Sequence, residues 1–299
     1  MSLLNKLVVT ALPIIPKAVV GQVAKRYIAG TTLPDAVRMV KSLNERSMMA
    51  TMDLLGEDIT QISEAAEVHA GIRGMFDTIR DNRLQSNVSV KPTQLGLKLD
   101  PEACYQRIRE IVVQARDQAN FVRIDMEDAT TTDLTLDMYR RFRKEGFTNL
   151  GIVIQAYLRR SQADVATLLK DGLNVRLCKG IYNESPAIAF KDREEIRENY
   201  KALLRMLLDG GAYVGIATHD DVLIDHAIDE LKKRSMRTDQ YEFQMLLGVR
   251  ENRRDQLVAA GHRLRVYVPY GEQWYAYSTR RLKENPHMAW YITKALFVR

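Results

Sequence analysis

Short apolar runs recur along most of the chain, and each is followed by a longer segment with apolar residues at helical spacing. Eight of these runs have the length expected of buried strands. They span Met48–Leu55, Asn87–Lys91, Phe121–Asp125, Leu150–Gln155, Asn174–Lys179, Ala212–Thr218, Tyr241–Leu246 and Leu264–Pro269. Helical periodicity follows, for example, over Ala163–Lys170, Arg193–Asp209, Val222–Lys233 and Asn252–Ala260. Strands that alternate with helices predict a parallel sheet in an α/β protein.

The number and spacing of these units predict a (β/α)8 barrel. Eight strand–helix units within about 250 residues match the size of that fold. A doubly wound open sheet is the alternative, but no G-x-G-x-x-G sequence follows the first strand. One amphipathic helix is predicted before the strands, over Thr32–Arg46, with Pro34 in its first turn. We therefore expect an N-terminal helical arm over residues 1–46 and a barrel over residues 47–299.

Composition and charge narrow the class of protein. The 299 residues are 46% hydrophobic and 27% charged, which is typical of a soluble globular chain. The formal net charge is +6, and the basic residues are interspersed with acids without a zinc-finger or RNP pattern, so nucleic-acid binding is not expected. The cysteines, Cys104 and Cys178, form no C-x-x-C pair, and the histidines form no H-E-x-x-H. We expect a reducing, cytoplasmic compartment and no metal site.

The first 30 residues are basic and apolar and contain no acid. Pro13 and Pro16 interrupt the apolar run, so neither a signal peptide nor a transmembrane span is the favoured interpretation. A basic, apolar segment can instead pack on its own domain or touch an anionic membrane surface. Peripheral contact with the inner face of the membrane is therefore one prediction for this arm.

Polar side chains stand at the ends of most predicted strands. In (β/α)8 barrels the functional site lies at the carboxyl ends of the strands and in the loops that follow. The residues at these positions include Asp53, Lys91, Asp125, Glu127, Gln155, Tyr157, Arg176, Lys179, Tyr182, Thr218, His219, Gln244 and Tyr267. Each one alone is explained as a helix cap or a solvated side chain. Together they predict a site at this mouth of the barrel.

Arg176 is the most informative of these residues. Strand alternation places Arg176 and Cys178 on one face and the apolar Val175 and Leu177 on the other. The apolar pair fits outward packing against helices, which turns Arg176 into the barrel. A buried guanidinium must be paired, and Asp125, two strands away, is the predicted partner. Such a pair either fixes the barrel or presents a positive charge to a ligand, and both interpretations stay open at this point.

A second group of charged residues lies near the C-terminus. Tyr277, Arg280, Arg281 and Glu284 fall on one face of a predicted helix. Adjacent guanidinium groups repel each other unless an anion lies between them, and a carboxylate fits their planar geometry. The alternative is an exposed helix in which Glu284 merely pairs with the arginines, which contributes little.

Seven segments together closely resemble the proline dehydrogenase family, in order, from about residue 20 to about residue 290. They are Ser89-Val-Lys91-Pro, Ile124-Asp125-Met-Glu127, Ile154-Gln155-Ala-Tyr157, Arg176-Leu-Cys178-Lys179-Gly180-Ile-Tyr182, Ala217-Thr218-His219, Phe243-Gln244-Met-Leu246 and Tyr277-x-x-Arg280-Arg281-x-x-Glu284. The length leaves no room for an aldehyde dehydrogenase domain, so the chain resembles the stand-alone bacterial form.

The resemblance implies a distorted TIM-type barrel that holds FAD across its mouth. It also implies oxidation of L-proline to Δ1-pyrroline-5-carboxylate, the first step of proline catabolism, with electrons passed to a quinone-type acceptor. The implied catalytic residues are Lys91, Asp125 and Arg176. The implied substrate contacts are Lys91, Tyr182, Leu246, Tyr277, Arg280, Arg281 and Glu284. The implied FAD contacts are Gln155, Arg176, Cys178, Lys179, Gly180, Ala217, Thr218 and His219.

Three positions depart from the family pattern, namely Ile181, Asn183 and Asp220. Asp220 places an extra acid near the expected FAD phosphates, so it is expected to weaken cofactor binding. Tyr267 matches a family tyrosine that favours proline over hydroxyproline. Two other functions stay open from the residues alone. One is a Schiff-base lyase or aldolase that uses Lys91 or Lys179. The other is a non-catalytic barrel that binds an amino acid or a partner protein.

Overall fold

A closed barrel of eight parallel strands forms the centre of the protein. The computed structural model describes residues 20–21, 24–56, 58–275 and 277–279. The strands are β1 Met49–Leu54, β2 Ser86–Val90, β3 Val122–Ile124, β4 Leu150–Gln155, β5 Asn174–Cys178, β6 Tyr213–Ala217, β7 Tyr241–Leu246 and β8 Leu264–Tyr270. Each strand pairs with the next, and β8 pairs with β1. The predicted (β/α)8 barrel is confirmed.

Helices precede, connect and surround the strands. They are α1 Leu33–Glu45, α2 Glu64–Asp81, α3 Pro101–Asp117, α4 Thr132–Lys144, α5 Ser161–Leu168, α6 Arg193–Asp209, α7 Asp221–Lys233 and α8 Glu251–Ala259. Short 3-10 turns cover Pro92–Leu95 and Leu169–Asp171. No helix in the described ranges is both long and apolar enough to cross a bilayer.

Helix α1 begins where the sequence predicts. Thr32 accepts a hydrogen bond from the backbone N–H of Asp35, and the Asp35 carboxylate accepts one from the Thr32 backbone at 3.0 Å. This capping box, with Pro34 in the first turn, satisfies donors that a helix start leaves unpaired. The helix packs against β1 and β8. The division of the chain at residue 46 stays a prediction.

Predicted and observed boundaries agree within one residue for every strand, and β4 and β7 agree at both ends. The largest shift concerns α5, which begins at Ser161, two residues before the prediction, and ends at Leu168. The chain then tightens into the 3-10 turn over Leu169–Asp171, which is common at helix ends. Apolar periodicity alone does not distinguish this turn from the helix it follows.

The two faces of the strands have opposite chemistry. Outward residues such as Val88, Val175 and Leu177 are fully buried in the apolar layer between strands and helices. Burying each such side chain contributes about 1.5–3 kcal/mol. Many of the inward residues are polar, and these are Thr51, Ser89, Arg123, Asp125, Gln155, Arg176, Glu242, Gln244, Arg265 and Tyr267. The outer layer therefore stabilises the fold, while the inside of the barrel is available for chemistry.

Candidate active site

A buried ion pair lies inside the barrel, towards the carboxyl ends of the strands. Arg176 Nη1 donates to Asp125 Oδ1 at 2.7 Å, so the predicted pair is present. Arg176 Nε donates to Gln244 Oε1 at 2.6 Å, and Nη2 donates to Ser89 Oγ at 3.3 Å. Both charged residues are buried. Every nitrogen of the guanidinium has an acceptor, so this side chain is held in one orientation.

Lys91 and Asp53 extend this pair towards β1. The Lys91 ammonium contacts the Asp53 carboxylate and lies 3.8 Å from Asp125 Oδ2. Burial by itself lowers the pKa of Lys91, but the charges of Asp53 and Asp125 outweigh it and raise that pKa above its ordinary value. Lys91 is therefore protonated at neutral pH. We call Asp53, Lys91, Asp125 and Arg176 the interior cluster, in which two cations face two carboxylates.

Tyr267 connects the members of the interior cluster. Its hydroxyl donates to Asp125 Oδ2 at 3.0 Å and accepts from Lys91 Nζ at 3.3 Å. The Arg176 guanidinium lies 5.1 Å from the centre of its ring, within the range of a cation–π contact. The tyrosine therefore fixes the spacing of both cations and one acid.

Gln155 closes the site at the end of β4. Its side-chain nitrogen donates to the carbonyls of Met126 and Glu127, at 2.9 and 3.0 Å. Its side-chain oxygen is buried and has no hydrogen-bond partner among the described residues. Buried acceptors without a donor are uncommon in folded proteins. This atom is therefore suited to accept a hydrogen bond from a ligand.

The loop after β5 is fixed to the loop after β4. The Cys178 and Lys179 carbonyls accept from the backbone N–H groups of Ala156 and Tyr157, at 2.8 and 2.7 Å. Gly180 has a φ of +102°, and a Cβ at this position would collide with the Tyr157 ring, so only glycine fits. Burial raises the pKa of the Cys178 thiol to about 11, so the thiol is protonated at neutral pH.

A second charged group lies at the rim of the barrel, around Asp220. Arg197 donates to both Asp220 oxygens at 2.8 and 2.9 Å, and Lys179 and Arg193 approach at 3.3 and 3.6 Å. Burial would raise the pKa of Asp220, but its hydrogen bonds with Arg197 and the nearby cations hold that pKa at about 2. We call these four residues the rim cluster. The acid expected to weaken cofactor binding is therefore enclosed by three cations.

The neighbouring predicted residues also have defined contacts. Thr218 Oγ accepts from the Asp220 backbone N–H at 3.2 Å. His219 Nε2 accepts a hydrogen bond from the Leu246 backbone N–H at 2.9 Å. Nε2 therefore carries no proton, and the ring proton of His219 is on Nδ1. Ala217 pairs in register with Gln244 at the end of β6. These contacts tie the loop after β6 to β7.

The structure gathers only part of the predicted site. Tyr182 is exposed, in the loop after β5. Tyr277 is buried in a small apolar cluster with residues that include Tyr27 and Leu55. Arg280, Arg281 and Glu284 lie outside the described residues. The predicted carboxylate clamp is therefore not located.

Sequence reasoning placed Asp53 and Gln244 at the mouth of the barrel and quoted Ser89 in a family segment, but it gave none of the three a specific contact. They lie at inward positions of β1, β2 and β7, so strand alternation is a signal that could have assigned their contacts. Arg197 has no comparable signal. It lies on α6 and is 23 positions from Asp220, so their contact depends on how that helix packs.

Comparison with known proteins identifies the family. A family profile described as proline dehydrogenase matches residues 36–292, which is most of the chain. The chain belongs to the proline dehydrogenase family. This confirms the resemblance of the sequence segments, and the chain is accordingly an oxidoreductase.

Individual relatives agree with this membership. Proline dehydrogenase 1 of Bacillus subtilis (strain 168) is 38% identical over 91% of this chain and 90% of that protein. Proline dehydrogenase of Deinococcus radiodurans is 33% identical over 91% of this chain and 89% of that protein. The bifunctional protein PutA of Escherichia coli (strain K12) is 27% identical over 87% of this chain but only 23% of its own length. The chain is therefore similar to these two proline dehydrogenases over nearly their full length and to one part of the bifunctional protein.

A solved structure has the same fold. It is proline utilization A (PutA) from Bdellovibrio bacteriovorus inactivated by N-propargylglycine, with a TM-score of 0.83 and 26% identity. The match covers 92% of this chain and 34% of that chain. The barrel of this protein therefore has the same fold as one part of that longer PutA chain.

Proposed function

We propose that the protein oxidises L-proline to Δ1-pyrroline-5-carboxylate, with FAD as the hydride acceptor and a quinone-type molecule as the final electron acceptor. The observation that supports this most strongly is Arg176, held by three acceptors inside the mouth of a proline dehydrogenase barrel. The relatives that this chain matches over nearly their full length are named proline dehydrogenases.

The residues at the mouth suit a flavin nucleotide. The buried Gln155 oxygen offers an acceptor for a flavin N–H. The cations of the rim cluster suit a pyrophosphate. Gln155, Lys179, Thr218 and His219 would hold the nucleotide, with Cys178, Gly180 and Ala217 in the supporting backbone. FAD, when bound, would accept a hydride from the ring carbon next to the substrate nitrogen.

The residues of the protein would orient the substrate and stabilise charge that develops during the reaction. Arg176 is a fixed positive charge that favours negative charge developing nearby. Lys91 is already balanced by Asp53, so it cannot neutralise a substrate carboxylate without sharing its charge. The carboxylate would therefore depend mainly on Arg280 and Arg281, as the family pattern implies. The bound amine must lose a proton before the ring carbon is oxidised, and a cation near that nitrogen would favour its neutral form.

Substrate specificity would depend on the walls around these charges. Tyr182, Leu246 and Tyr277 would pack against the proline ring. Tyr267 presents its hydroxyl to Asp125 and Lys91, so that group is not free to bond a hydroxylated ring. This arrangement supports proline rather than hydroxyproline as substrate.

An anaerobic visible spectrum tests the proposal. FAD-loaded protein should show a flavin absorption band that L-proline bleaches and D-proline does not. A Schiff-base lyase predicts turnover without any flavin band. A non-catalytic binding barrel predicts a band that proline leaves unchanged, and either result would reject the proposal.

The location of the protein is a separate part of the proposal. A cytoplasmic enzyme that passes electrons to a membrane quinone needs contact with the bilayer surface. The basic residues of the N-terminal arm suit an anionic surface, because each such residue near it contributes about 1 kcal/mol. Sedimentation with anionic vesicles, against neutral vesicles as control, should remove the protein from solution. Equal recovery from both would reject peripheral binding.

A further inference from the structure

Glu242 and Gln244 lie two residues apart on the inner face of β7, and both are buried. Gln244 Nε2 donates to Glu242 Oε1 at 2.6 Å, and Gln244 Oε1 accepts from Arg176 Nε at 2.6 Å. An ionised carboxylate only accepts hydrogen bonds, so the amide nitrogen must face Glu242. The amide oxygen must then face Arg176. A guanidinium only donates hydrogen bonds, so Arg176 and Glu242 both require this orientation, and Glu242 holds the amide in place for Arg176.

Glu242 is fixed from the other side by β8 and β6. Arg265 donates to its two oxygens at 2.7 and 3.0 Å, and the Tyr213 hydroxyl donates at 2.9 Å. Burial would raise the pKa of Glu242, but the charge and hydrogen bonds of Arg265 outweigh it and hold that pKa at about 2. The carboxylate is therefore ionised at neutral pH, and it holds Gln244 in this orientation.

Gly215 leaves the space that this chain of contacts needs. It pairs in register with Arg176 on one side and with Glu242 on the other. A Cβ at Gly215 would collide with the Gln244 amide nitrogen. The φ angle of Gly215 is not positive, so the backbone conformation at this position does not require glycine. Glycine is needed at position 215 because the Gln244 amide occupies the space that a side chain would fill.

We propose that Glu242, acting through Gln244, is a positioning residue for Arg176. The inference rests on the proposed function, since it concerns the orientation of Arg176 during proline oxidation. Asp125 and Ser89 hold only the two terminal nitrogens of the guanidinium. The Gln244 contact to Nε fixes the third point and therefore the tilt of the guanidinium plane. Loss of this contact should slow flavin reduction more than it weakens proline binding.

The Gln244→Glu variant gives a test that a purely structural role would not pass. A protonated Glu at 244 can donate to Glu242 and accept from Arg176, as the amide does. Two adjacent carboxylates cannot both ionise readily, so this proton is shared and leaves as the pH rises. When both carboxylates are ionised, Glu242 repels the carboxylate at 244 and breaks its contact with Arg176. We therefore expect flavin reduction near the wild-type rate at low pH and about tenfold or more slower above this new ionisation. The wild type should lack this ionisation.

The double variant Glu242→Gln with Gln244→Glu is the rescue. Its amide at 242 can donate to an ionised carboxylate at 244, which still accepts from Arg176. The new ionisation should therefore disappear from the pH profile of flavin reduction. An ionisation that persists in the double variant, or a Gln244→Glu enzyme with the wild-type profile, would overturn the inference.

Two further variants keep the test valid if a buried carboxylate prevents folding. Gln244→Met retains the length but neither hydrogen bond, and Gly215→Ala displaces the amide without removing it. Both should slow flavin reduction about tenfold or more while the Kd for proline changes less than threefold. Gly74→Ala is the control for the second, since an added Cβ there meets nothing within 4 Å. Wild-type reduction rates in both variants would overturn the inference.

The proposed function and this inference fail in different ways. If L-proline does not reduce the flavin of the wild-type enzyme, both are wrong. If the wild type is reduced and the variants at 242, 244 and 215 behave like it, the proposed function stands and the inference alone is wrong.

Discussion

The interior cluster and the rim cluster use the same types of side chain for different ends. In the interior cluster two cations face two carboxylates, and the Arg176 side chain is 9% exposed. In the rim cluster three cations surround one carboxylate, and the Arg193 side chain is 70% exposed. The first is balanced and enclosed, whereas the second has positive charge to spare, and two of its cations, Lys179 and Arg193, are exposed to solvent.

The difference follows from the cost of burying charge. An unpaired ion inside a protein costs several kcal/mol, so the two cations of the interior cluster need its two carboxylates. Solvent screens charge at the rim, so excess cations can remain there until an anion arrives. The interior cluster is therefore suited to orient groups, and the rim cluster to attract a ligand such as a pyrophosphate.

Asp125→Ala should have the strongest effect on stability. The substitution leaves Arg176 without its carboxylate and removes an acceptor of Tyr267. Breaking a buried pair in this way costs about 3–5 kcal/mol of unfolding free energy. Urea unfolding of the variant and the wild type measures this difference in unfolding free energy. Asp137→Ala is the control, because that carboxylate is 72% exposed and its ion pair among the described residues is with Arg140. Equal losses of unfolding free energy in the two variants would show that the buried Arg176–Asp125 pair stabilises the fold no more than an exposed ion pair.

Glu127 offers a pH test at the edge of the interior cluster. Burial raises its pKa to about 7, despite hydrogen bonds from Thr93. A carboxyl whose pKa is raised on folding stabilises the protein below its unfolded value of 4.5, and that stability is lost as the pH rises through 7. Between these values the slope should reach at most about 1.4 kcal/mol per pH unit. Glu127→Gln should flatten this part of the stability profile, and an unchanged slope would reject the assignment.

Arg197→Met tests the rim cluster. The substitution removes both hydrogen bonds to Asp220 and leaves Lys179 and Arg193 to balance it. We expect FAD affinity to fall about tenfold, the loss typical of one charged hydrogen-bonding partner. Flavin fluorescence quenching measures the Kd. Lys201 lies on the same helix and, within the described part of the chain, forms its ion pair with the exposed Glu198, so Lys201→Met should leave the Kd unchanged. The same loss in both variants would indicate damage to α6 rather than to a phosphate site.

The barrel and the interior pair could be predicted because they are expressed locally in the sequence. Apolar runs at regular spacing determine where strands begin and end, and alternation within β5 turns Arg176 inward. Once a parallel barrel is assumed, Asp125 must lie at a similar height on β3. The ion pair then follows from the cost of leaving Arg176 unpaired.

Other contacts could not be predicted because they depend on tertiary packing. Arg197 reaches Asp220 across the packing of α6 on the barrel, and neither residue lies on a strand. The balance of Lys91 by Asp53 likewise needs the register of β1 against β2. The sequence motif at Arg280 and Arg281 predicts a clamp, which lies outside the described residues and stays a prediction.

The division of labour between the clusters is tested most directly by rapid mixing of FAD-saturated enzyme with L-proline. Arg176→Lys keeps the charge but cannot bond Asp125, Gln244 and Ser89 together, so the limiting rate of flavin reduction should fall about tenfold or more. Arg197→Met should keep the wild-type rate once FAD is saturating. An unchanged rate in Arg176→Lys, or an equal loss of rate in Arg197→Met, would contradict the account.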